Sequence, residues 1–375
     1  MARDRVLALL GRRDEPTDAV EEYCINLGEA LEAHGLQFEI CRVAWELHGW
    51  SHSLHDLRLQ AASWSNTWIF AQYTALAWSV HGFPLRFLQV LRILAAAQAR
   101  IAVIFHDVEP YAGGRLIDQL RRLMQLRTVR RAVDLADLAI FTVPIERISW
   151  LSHAPNKAAF LPVGPNLPLS SEGGAHHSEP AFNLKNEVTP SIGVFSITGG
   201  ASGTREANEI LSAIRFASEK VGKLRLSVFG RHAELQESFL RKGVKNLPVE
   251  LSVEGLVESA LVIEKLSACD VLLFVRGPIS TRRSSAIAGI ACGLPVVAYS
   301  GSETGPPITD AGVVLVPFDQ DESSRQRELN VALVRVLSDT AYRVSLSERS
   351  RRVYEKHLSW PSIASRLTTL LEALE

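Results

Sequence analysis

The chain has 375 residues, which is too long for one ordinary hydrophobic core and therefore predicts two domains. Hydrophobic residues make up 47% and charged residues 22%, a globular composition that excludes a disordered or coiled-coil protein. The net charge of −1 gives no global attraction to nucleic acid, so we expect no nucleic-acid partner, and any electrostatic partner requires a local patch.

Four cysteines lie far apart, each within an apolar stretch: Cys24, Cys41, Cys269 and Cys292. A disulfide framework is short and dense in cysteine, so we predict buried thiols in a reducing compartment. The N-terminal residues run directly into a strand pattern and lack the apolar core of a signal peptide. The longest apolar runs contain charges such as Arg86 and Arg92, whereas a bilayer span needs about 20 nearly uncharged residues. We therefore expect a cytoplasmic protein without a transmembrane helix.

The first half of the chain alternates strands with helices. A strand at 6–10 leads into a helix that ends at residue 34, and a second strand follows at 36–43. Asp18 is suited to cap the start of this helix and Gly35 to end it. The same rhythm continues with strands at 68–70, 101–105, 138–141 and 158–161 and helices at 85–100 and 116–133. This alternation predicts a parallel sheet.

The periodicity stops over residues 164–190, which are rich in glycine and proline, and we place an interdomain linker there. A fresh series starts at residue 191. It comprises strands at 191–197, 224–229, 249–253, 271–275, 296–299 and 313–316, with helices between them, the first at 206–221. The sequence therefore predicts an α/β fold of two Rossmann-like halves.

The strongest local motif is a helix of small residues that stops at Gly293 and runs into a buried strand. Residues 284–298 read S-S-A-I-A-G-I-A-C-G-L-P-V-V-A. This resembles the core motif of the family-4-type GT-B glycosyltransferases, in which a donor-site helix leads into A-C-G-L-P-V-V-A. Further stretches resemble the family in matching order: 105–107, 161–166, 194–200, 254–257, 266–271 and 360–374.

The resemblance implies the GT-B architecture, in which two Rossmann-like domains face each other across a cleft. It assigns 1–165 to an acceptor-side domain, 166–190 to the linker and 191–358 to the nucleotide-sugar domain. Residues 359–375 become a terminal helix that crosses back to the first domain. The implied activity is a hexosyltransferase type of glycosyl transfer from a nucleotide diphosphate sugar, with retention and without metal or cofactor. A saccharide or a lipid-linked molecule is the implied acceptor.

The chain departs from the family at the donor site. Many relatives carry two glutamates eight positions apart, where this chain has Ser280 and Ala288. The usual lysine of the first phosphate loop is also missing, with Ser202 near its place and Arg205 three residues on. A catalytically weak nucleotide-sugar-binding protein that serves a partner is therefore an alternative. A nucleotide-sugar epimerase or phosphorylase on the same fold is another.

The departing diphosphate would carry extra negative charge, which helix N-terminal amides and guanidinium groups stabilise. We expect the donor helix to open near Thr281 and at least one of Arg282 and Arg283 to contact the phosphates; the alternative is that both are solvated. The predicted donor-binding residues are Gly199, Gly200, Ser202, Gly203, Arg205, Leu256, Val257, Ser280, Thr281, Arg282, Arg283 and Ser284.

In the first domain His106 and Asp107 follow a predicted strand, at the carboxyl edge where α/β sites form. The matching histidine of the family contacts the donor sugar, so these two are the predicted catalytic residues. Asp18 and Tyr73 are predicted on the acceptor side. Trp78, Phe83 and the pair His81-Gly82 join them as cleft-lining candidates, or belong to the core together with Tyr73.

Two further patterns have open interpretations. His48, His52 and His55 have a spacing that suits metal ligands, but a fourth ligand is missing and a surface helix is the favoured alternative. The helix 115–131 carries six arginines against one aspartate. It either contacts anionic lipid peripherally, at the inner membrane surface, or has a solvated basic face and a core stripe that includes Leu116, Leu120 and Leu123.

Overall fold

The computed structural model describes residues 5–111, 113–151, 155–167 and 189–374. The chain divides into two compact units, one formed by Met1–Val163 with Trp360–Glu375 and the other by Gly164–Ser359. Most of the predicted linker, 166–190, lies outside the described residues. Within the described residues, no helix combines the length and the hydrophobicity that a bilayer crossing requires.

Each unit contains one parallel six-stranded sheet. In unit 1 the strands are β1 (Arg5–Leu10), β2 (Gln37–Arg42), β3 (Trp68–Tyr73), β4 (Arg100–Phe105), β5 (Leu138–Phe141) and β6 (Ala158–Phe160). In unit 2 they are β7 (Ser191–Phe195), β8 (Leu224–Phe229), β9 (Val249–Val253), β10 (Val271–Pro278), β11 (Val296–Ser300) and β12 (Val313–Pro317). The predicted α/β class is confirmed.

Helices connect the strands in the expected rhythm. They are α1 (Ala19–Glu32), α2 (Trp45–Ala61), α3 (Leu85–Ala96), α4 (Leu116–Leu135), α5 (Gly200–Val221), α6 (Glu237–Val244), α7 (Ser259–Ser267), α8 (Ser284–Ala291), α9 (Glu322–Ser338), α10 (Thr340–Val353) and α11 (Trp360–Glu372). The helix α11 belongs to unit 1, where it packs against α1, and the Trp360 ring lies 5.4 Å from the Tyr23 ring.

The strand orders place a topological switch in each sheet. Unit 1 has the order β2-β1-β3-β4-β5-β6 and unit 2 the order β12-β11-β10-β7-β8-β9. The chain direction around the sheet reverses between β1 and β3 and again between β7 and β10. Ligands of open α/β sheets bind beyond the carboxyl ends of the strands at such a point.

Each sheet is covered by helices and forms its own hydrophobic core. Strands such as β5 are buried along their whole length, which explains why their sequences read as uninterrupted apolar runs. The prediction of four buried thiols is wrong for three of them. Only Cys24 is buried, whereas Cys41, Cys269 and Cys292 are half-buried, and all four are free.

Candidate functional site

In unit 2 the candidate residues follow neighbouring strands at the carboxyl edge of the sheet. Because all six strands are parallel, the segments after β7, β8, β9, β10 and β11 leave the sheet at this same edge. The switch between β7 and β10 lies at its centre. The edge therefore brings together residues that are separated by more than 80 positions in the sequence.

The segment after β7 is a tight turn into α5, which begins at Gly200 and not at residue 206 as predicted. Gly200 and Ser202 thus lie in the first helical turn, and Arg205 lies in the second and is exposed. Gly203 is buried, and a Cβ added there would lie 2.0 Å from the carbonyl oxygen of Thr198. Only glycine permits this close approach of the turn to the helix.

A buried carboxylate holds the same turn. The backbone N–H of Thr198 donates to Oε2 of Glu206 at 2.7 Å, and Glu206 is almost completely inaccessible to solvent. Gly199 lies beside His232, the residue whose φ of +64° turns the chain after β8. The loop is thus built around an acidic side chain that the sequence analysis did not select.

The segment after β10 enters the donor helix later than predicted. The helix α8 begins at Ser284 and not near Thr281, so Arg283 occupies its N-cap position. Ser280 and Thr281 are fully buried before the helix. The Ser280 hydroxyl has no hydrogen-bond partner among the described residues, so the position of the family's first glutamate holds a small buried group here.

Arg282 is engaged in a structural ion pair. Its Nε and Nη2 donate to the two carboxylate oxygens of Glu303 at 2.7 and 3.1 Å, and both side chains are largely buried. A fork-to-fork pair of this kind uses the directional donors that a phosphate would need. These donors of Arg282 are therefore engaged by Glu303, and contact of at least one of the two arginines with the phosphates stays a prediction.

Arg283 has a different environment. Burial, followed by the neighbouring Arg282 and Arg276 cations, lowers the pKa of Arg283 to about 10. Burial also lowers the pKa of Arg276, and Arg231 adds to this effect. The Nε atoms of Arg283 and Arg276 have no hydrogen-bond partner among the described residues. Such partly desolvated cations are unfavourable unless an anion compensates them.

The edge therefore carries an excess of positive charge. Four guanidinium groups interact electrostatically there with two carboxylates: Arg231, Arg276, Arg282 and Arg283 with Glu206 and Glu303. Arg231, Arg276 and both glutamates were not among the residues predicted from the sequence. Arg231 and Glu303 follow strands closely and Glu206 lies in the second turn of α5, whereas Arg276 lies within β10. These positions are a weak signal without the sheet order.

The remaining predicted donor residues lie after β9. Leu256 is exposed and Val257 is half-buried. The loop is joined to the end of β8 by a hydrogen bond from the Gly230 N–H to the carbonyl of Gly255, 2.9 Å long. This hydrogen bond places the apolar side chains of Leu256 and Val257 at the same edge as the arginines. A loop that binds a nucleotide base requires apolar side chains of this kind.

In unit 1 the two predicted catalytic residues follow β4. The His106 ring nitrogen Nε2 lies 2.8 Å from Oε1 of the buried Gln72, and the ring packs edge-on against Tyr23 at 4.9 Å. Oδ2 of Asp107 accepts from the Ala75 N–H at 2.9 Å. Both side chains are half-buried, and their orientation is fixed by residues of β3 and of the turn after it.

A cavity of about 400 Å³ lies beside Asp107, at the carboxyl end of β3. The phenol of Tyr73 lines it and has no hydrogen-bond partner among the described residues, although the side chain is buried. Burial raises the pKa of this phenol, so it stays neutral and can donate a hydrogen bond. The cavity combines this hydroxyl with the carboxylates of Asp107 and Glu109 and with Arg121.

Two other candidates of unit 1 have structural roles, whereas His81 and Gly82 line the cavity beside Asp107. Asp18 is buried, caps α1 through the N–H groups of Val20 and Glu21, and pairs with Arg42 at 3.3 Å. This cap was predicted, but its carboxylate is occupied and does not suit contact with an acceptor. Trp78 is completely buried in the core.

The three histidines of α2 do not form a metal site. A kink at Gly49 (φ +75°) interrupts the helix between His48 and His52, whose rings lie 5.8 Å apart, and Nε2 of His52 pairs with Asp56 at 3.2 Å. Over the part of the chain that the structure describes, no group of three histidine, cysteine or acidic side chains is placed to hold a metal ion.

Solved structures show where this fold recurs. No protein-family model and no curated protein sequence matches the chain. Anabaena Alr3699/HepE in complex with UDP and glucose is similar over 99% of this chain and 100% of its own, with 13% identity and a TM-score of 0.63. A glycosyltransferase from Rickettsia africae is similar over 100% and 99%, with 13% identity and a TM-score of 0.62.

A third similar structure is the UDP-GlcNAc 2-epimerase from Neisseria meningitidis bound to UDP-GlcNAc. It matches over 98% of this chain and 100% of its own, with 10% identity and a TM-score of 0.57. At such identities the likeness shows the fold alone. The chain has the two-domain Rossmann-like fold of GT-B glycosyltransferases, and membership of family 4 stays a prediction.

Proposed function

We propose that the protein is a glycosyltransferase that uses a UDP-sugar as donor. The observation that carries the proposal is the cluster of guanidinium groups at the switch point of unit 2, where Arg276 and Arg283 are partly desolvated and lack hydrogen-bond partners on Nε. A nucleoside diphosphate supplies the compensating charge. UDP is the first choice because HepE and the epimerase were solved with UDP and a UDP-sugar.

In the proposed reaction the bond between the anomeric carbon and the diphosphate oxygen breaks, and a bond to an acceptor oxygen forms. The acceptor hydroxyl gives its proton to the departing diphosphate, which leaves with the bonding electron pair. Arg283 and the first N–H groups of α8 would stabilise this developing charge, which is where electrostatic catalysis is strongest. No resident metal or cofactor is required in this proposal.

The finer features of the reaction rest on the resemblance. We propose hexosyl transfer with retention, in the cytoplasm, with His106 contacting the donor sugar. The cavity beside Asp107 is proposed to hold the reacting part of the acceptor, because the neutral Tyr73 hydroxyl and the Asp107 carboxylate suit a polyhydroxylated molecule, whereas both Glu109 oxygens accept hydrogen bonds from Ser149. Carboxylates and hydroxyls are the usual partners of sugar hydroxyl groups.

Two alternatives are supported by specific observations. An epimerase is supported by the similar fold of the Neisseria enzyme, and it would turn over a UDP-sugar without an acceptor. A binding protein with little activity is supported by Ser280 and Ala288, which replace the family's glutamates with buried groups that cannot ionise.

The experiment combines UDP titration with product analysis. We expect UDP to bind, and a UDP-sugar to release UDP only when an acceptor is present. Release or isomerisation without an acceptor would favour an epimerase, and binding without turnover would favour a binding protein. If neither UDP nor another nucleoside diphosphate binds, the proposed function is wrong.

His106→Ala separates binding from catalysis. We expect turnover to fall about 100-fold, within the range of a lost catalytic contact, while UDP affinity stays unchanged because the arginine cluster lies in unit 2. His34→Ala is the matched control, since His34 is exposed in the turn after α1. Equal turnover in both variants would remove His106 from the proposed site.

A further inference from the structure

Three neighbouring helices of unit 1 form one surface layer. The helix α3 packs against both α2 and α4, and all three contribute to the unit 1 core. Their outer sides define a continuous face, which we call the α2–α4 face. It runs along the lengths of the helices and, at the N-terminal half of α4, adjoins the cavity beside Asp107, which Arg121 lines.

The α2–α4 face is strongly basic on a protein whose net charge is only −1. The three helices contain eight arginines, no lysine and four carboxylates. All four carboxylates are paired: Glu46 with Arg12, Asp56 with His52, Asp118 with Arg121 and Asp134 with Arg131. Six arginines form no ion pair with any described residue: Arg58, Arg86, Arg92, Arg122, Arg127 and Arg130.

Three of these arginines line one open groove. The groove lies between α2 and α3, has a volume of about 790 Å³ and is lined by Arg58, Arg86 and Arg92, with Leu54 and Ile93 as its apolar floor. No carboxylate lines it. Arg86 donates to Gln89 at 2.7 Å, so its charge is positioned without being neutralised. An anion is the ligand that these charges favour.

Exposed leucines flank the arginines on α4. Leu116 is 84% exposed, and Ile117, Leu120 and Leu123 follow within two turns. The predicted core stripe is therefore wrong for the leucines and right for Val133, which is buried on α4 together with Asp118, Gln125, Thr128, Val129 and Ala132. Among the described residues, eight of the 18 exposed large hydrophobic side chains lie between residues 76 and 123, so this part of unit 1 is apolar as well as basic.

We propose that the α2–α4 face docks on an anionic phospholipid bilayer, with phosphate headgroups in the arginine groove and the α4 leucines in the interfacial region. Basic side chains beside exposed leucines are the combination that binds such surfaces. A nucleic acid would engage the arginines alone and would leave the leucines in water. The proposal goes beyond the proposed function and does not depend on it.

The test is cosedimentation of the full-length protein with vesicles. We expect binding to vesicles of phosphatidylcholine with phosphatidylglycerol, weak binding to phosphatidylcholine alone, and weaker binding as salt is raised. Arg86→Gln with Arg92→Gln should weaken partitioning about 30-fold. The control, Lys242→Gln with Arg352→Gln, removes two exposed charges from unit 2 and should leave partitioning close to wild type.

The contribution of the exposed leucines is tested with the double variant Leu116→Ser, Leu120→Ser. We expect partitioning at least about 10-fold weaker, because these side chains would enter the bilayer interface. The control, Leu235→Ser with Val331→Ser, changes two exposed apolar residues of unit 2. Because both pairs are exposed, thermal unfolding should stay near wild type.

Three results would overturn the proposal. The first is equal binding to both vesicle types, and the second is equal loss in the groove variant and its charge control. The third is tight binding to duplex DNA with no effect of the leucine changes, which would identify a general polyanion surface. UDP binding is measured in parallel, so a failure here is separable from a failure of the proposed function.

Discussion

Arg283 provides the sharpest test of the proposed donor site. Its positive charge is unfavourable in the free protein and becomes favourable when a diphosphate binds beside it. In the free protein its pKa is lowered from the ordinary arginine value to about 10 by burial and by neighbouring cations. Methionine is the suitable replacement, since it has similar length and no charge. The Arg283→Met variant therefore removes the cation and retains most of the packing.

The Arg283→Met change should affect the unfolding free energy and the UDP affinity by different magnitudes and with opposite signs. The lowered pKa corresponds to about 3 kcal/mol against the charged form, and solvent screening reduces its share in stability. We expect the unfolding free energy to be unchanged or up to about 2 kcal/mol higher. Loss of a charge-assisted phosphate contact costs about 1.5–3 kcal/mol. UDP affinity should therefore fall about 10- to 100-fold.

Arg282→Met is the matched comparison. It leaves the half-buried carboxylate of Glu303 without its partner, so we expect a loss of about 1–3 kcal/mol of unfolding free energy. Urea denaturation measures the stability of both variants, and isothermal titration with UDP measures affinity. Wild-type UDP affinity in Arg283→Met would refute the placement of the diphosphate, and a destabilised Arg283→Met variant would refute the charge argument.

Three other predictions concern the same edge. Gly203→Ala should lose about 1–3 kcal/mol of unfolding free energy and bind UDP weakly, because its Cβ would meet the Thr198 carbonyl at 2.0 Å; a wild-type denaturation curve would contradict this. Ser280→Ala should leave stability within about 1 kcal/mol, since the buried hydroxyl has no described partner, whereas Ser280→Glu should weaken UDP binding in the same titration. Turnover should survive EDTA, and a loss that a divalent ion restores would disprove the proposed metal-independent mechanism.

Much of the fold could be predicted because buried parallel strands have a simple signature. The bounds of β5, β8 and β9 agree with the prediction to the residue, since each is an apolar or alternating run bounded by helix ends and turns. The start of α5 was placed six residues late because glycines 199, 200 and 203 suggest a loop, and tertiary contacts overrode that preference. The helix α2 was considered only as a surface helix, which was the alternative to a histidine metal site, and its bounds were not predicted.

The candidate site was predicted less completely than the fold. Helix-start arginines are visible in the sequence, but the choice between Arg282 and Arg283 depends on Glu303, which lies 21 residues away after a neighbouring strand. Arg231 and Arg276 likewise join the cluster only through the order of β10, β7 and β8. Local sequence patterns carry no information on such pairings. The charges that lie together at this edge can be identified only when the strand order of the sheet is known.

The position of α11 has a consequence for synthesis of the protein. Unit 1 is discontinuous in the chain, because Trp360, Ile363 and Leu367 are buried in it although all of unit 2 precedes them. On the ribosome, unit 2 can therefore fold as soon as it emerges, while the earlier-made unit 1 waits for its last helix. A nascent chain stopped at residue 359 should contain a protease-resistant unit 2 and an unfinished unit 1 that exposes the apolar surface around Tyr23.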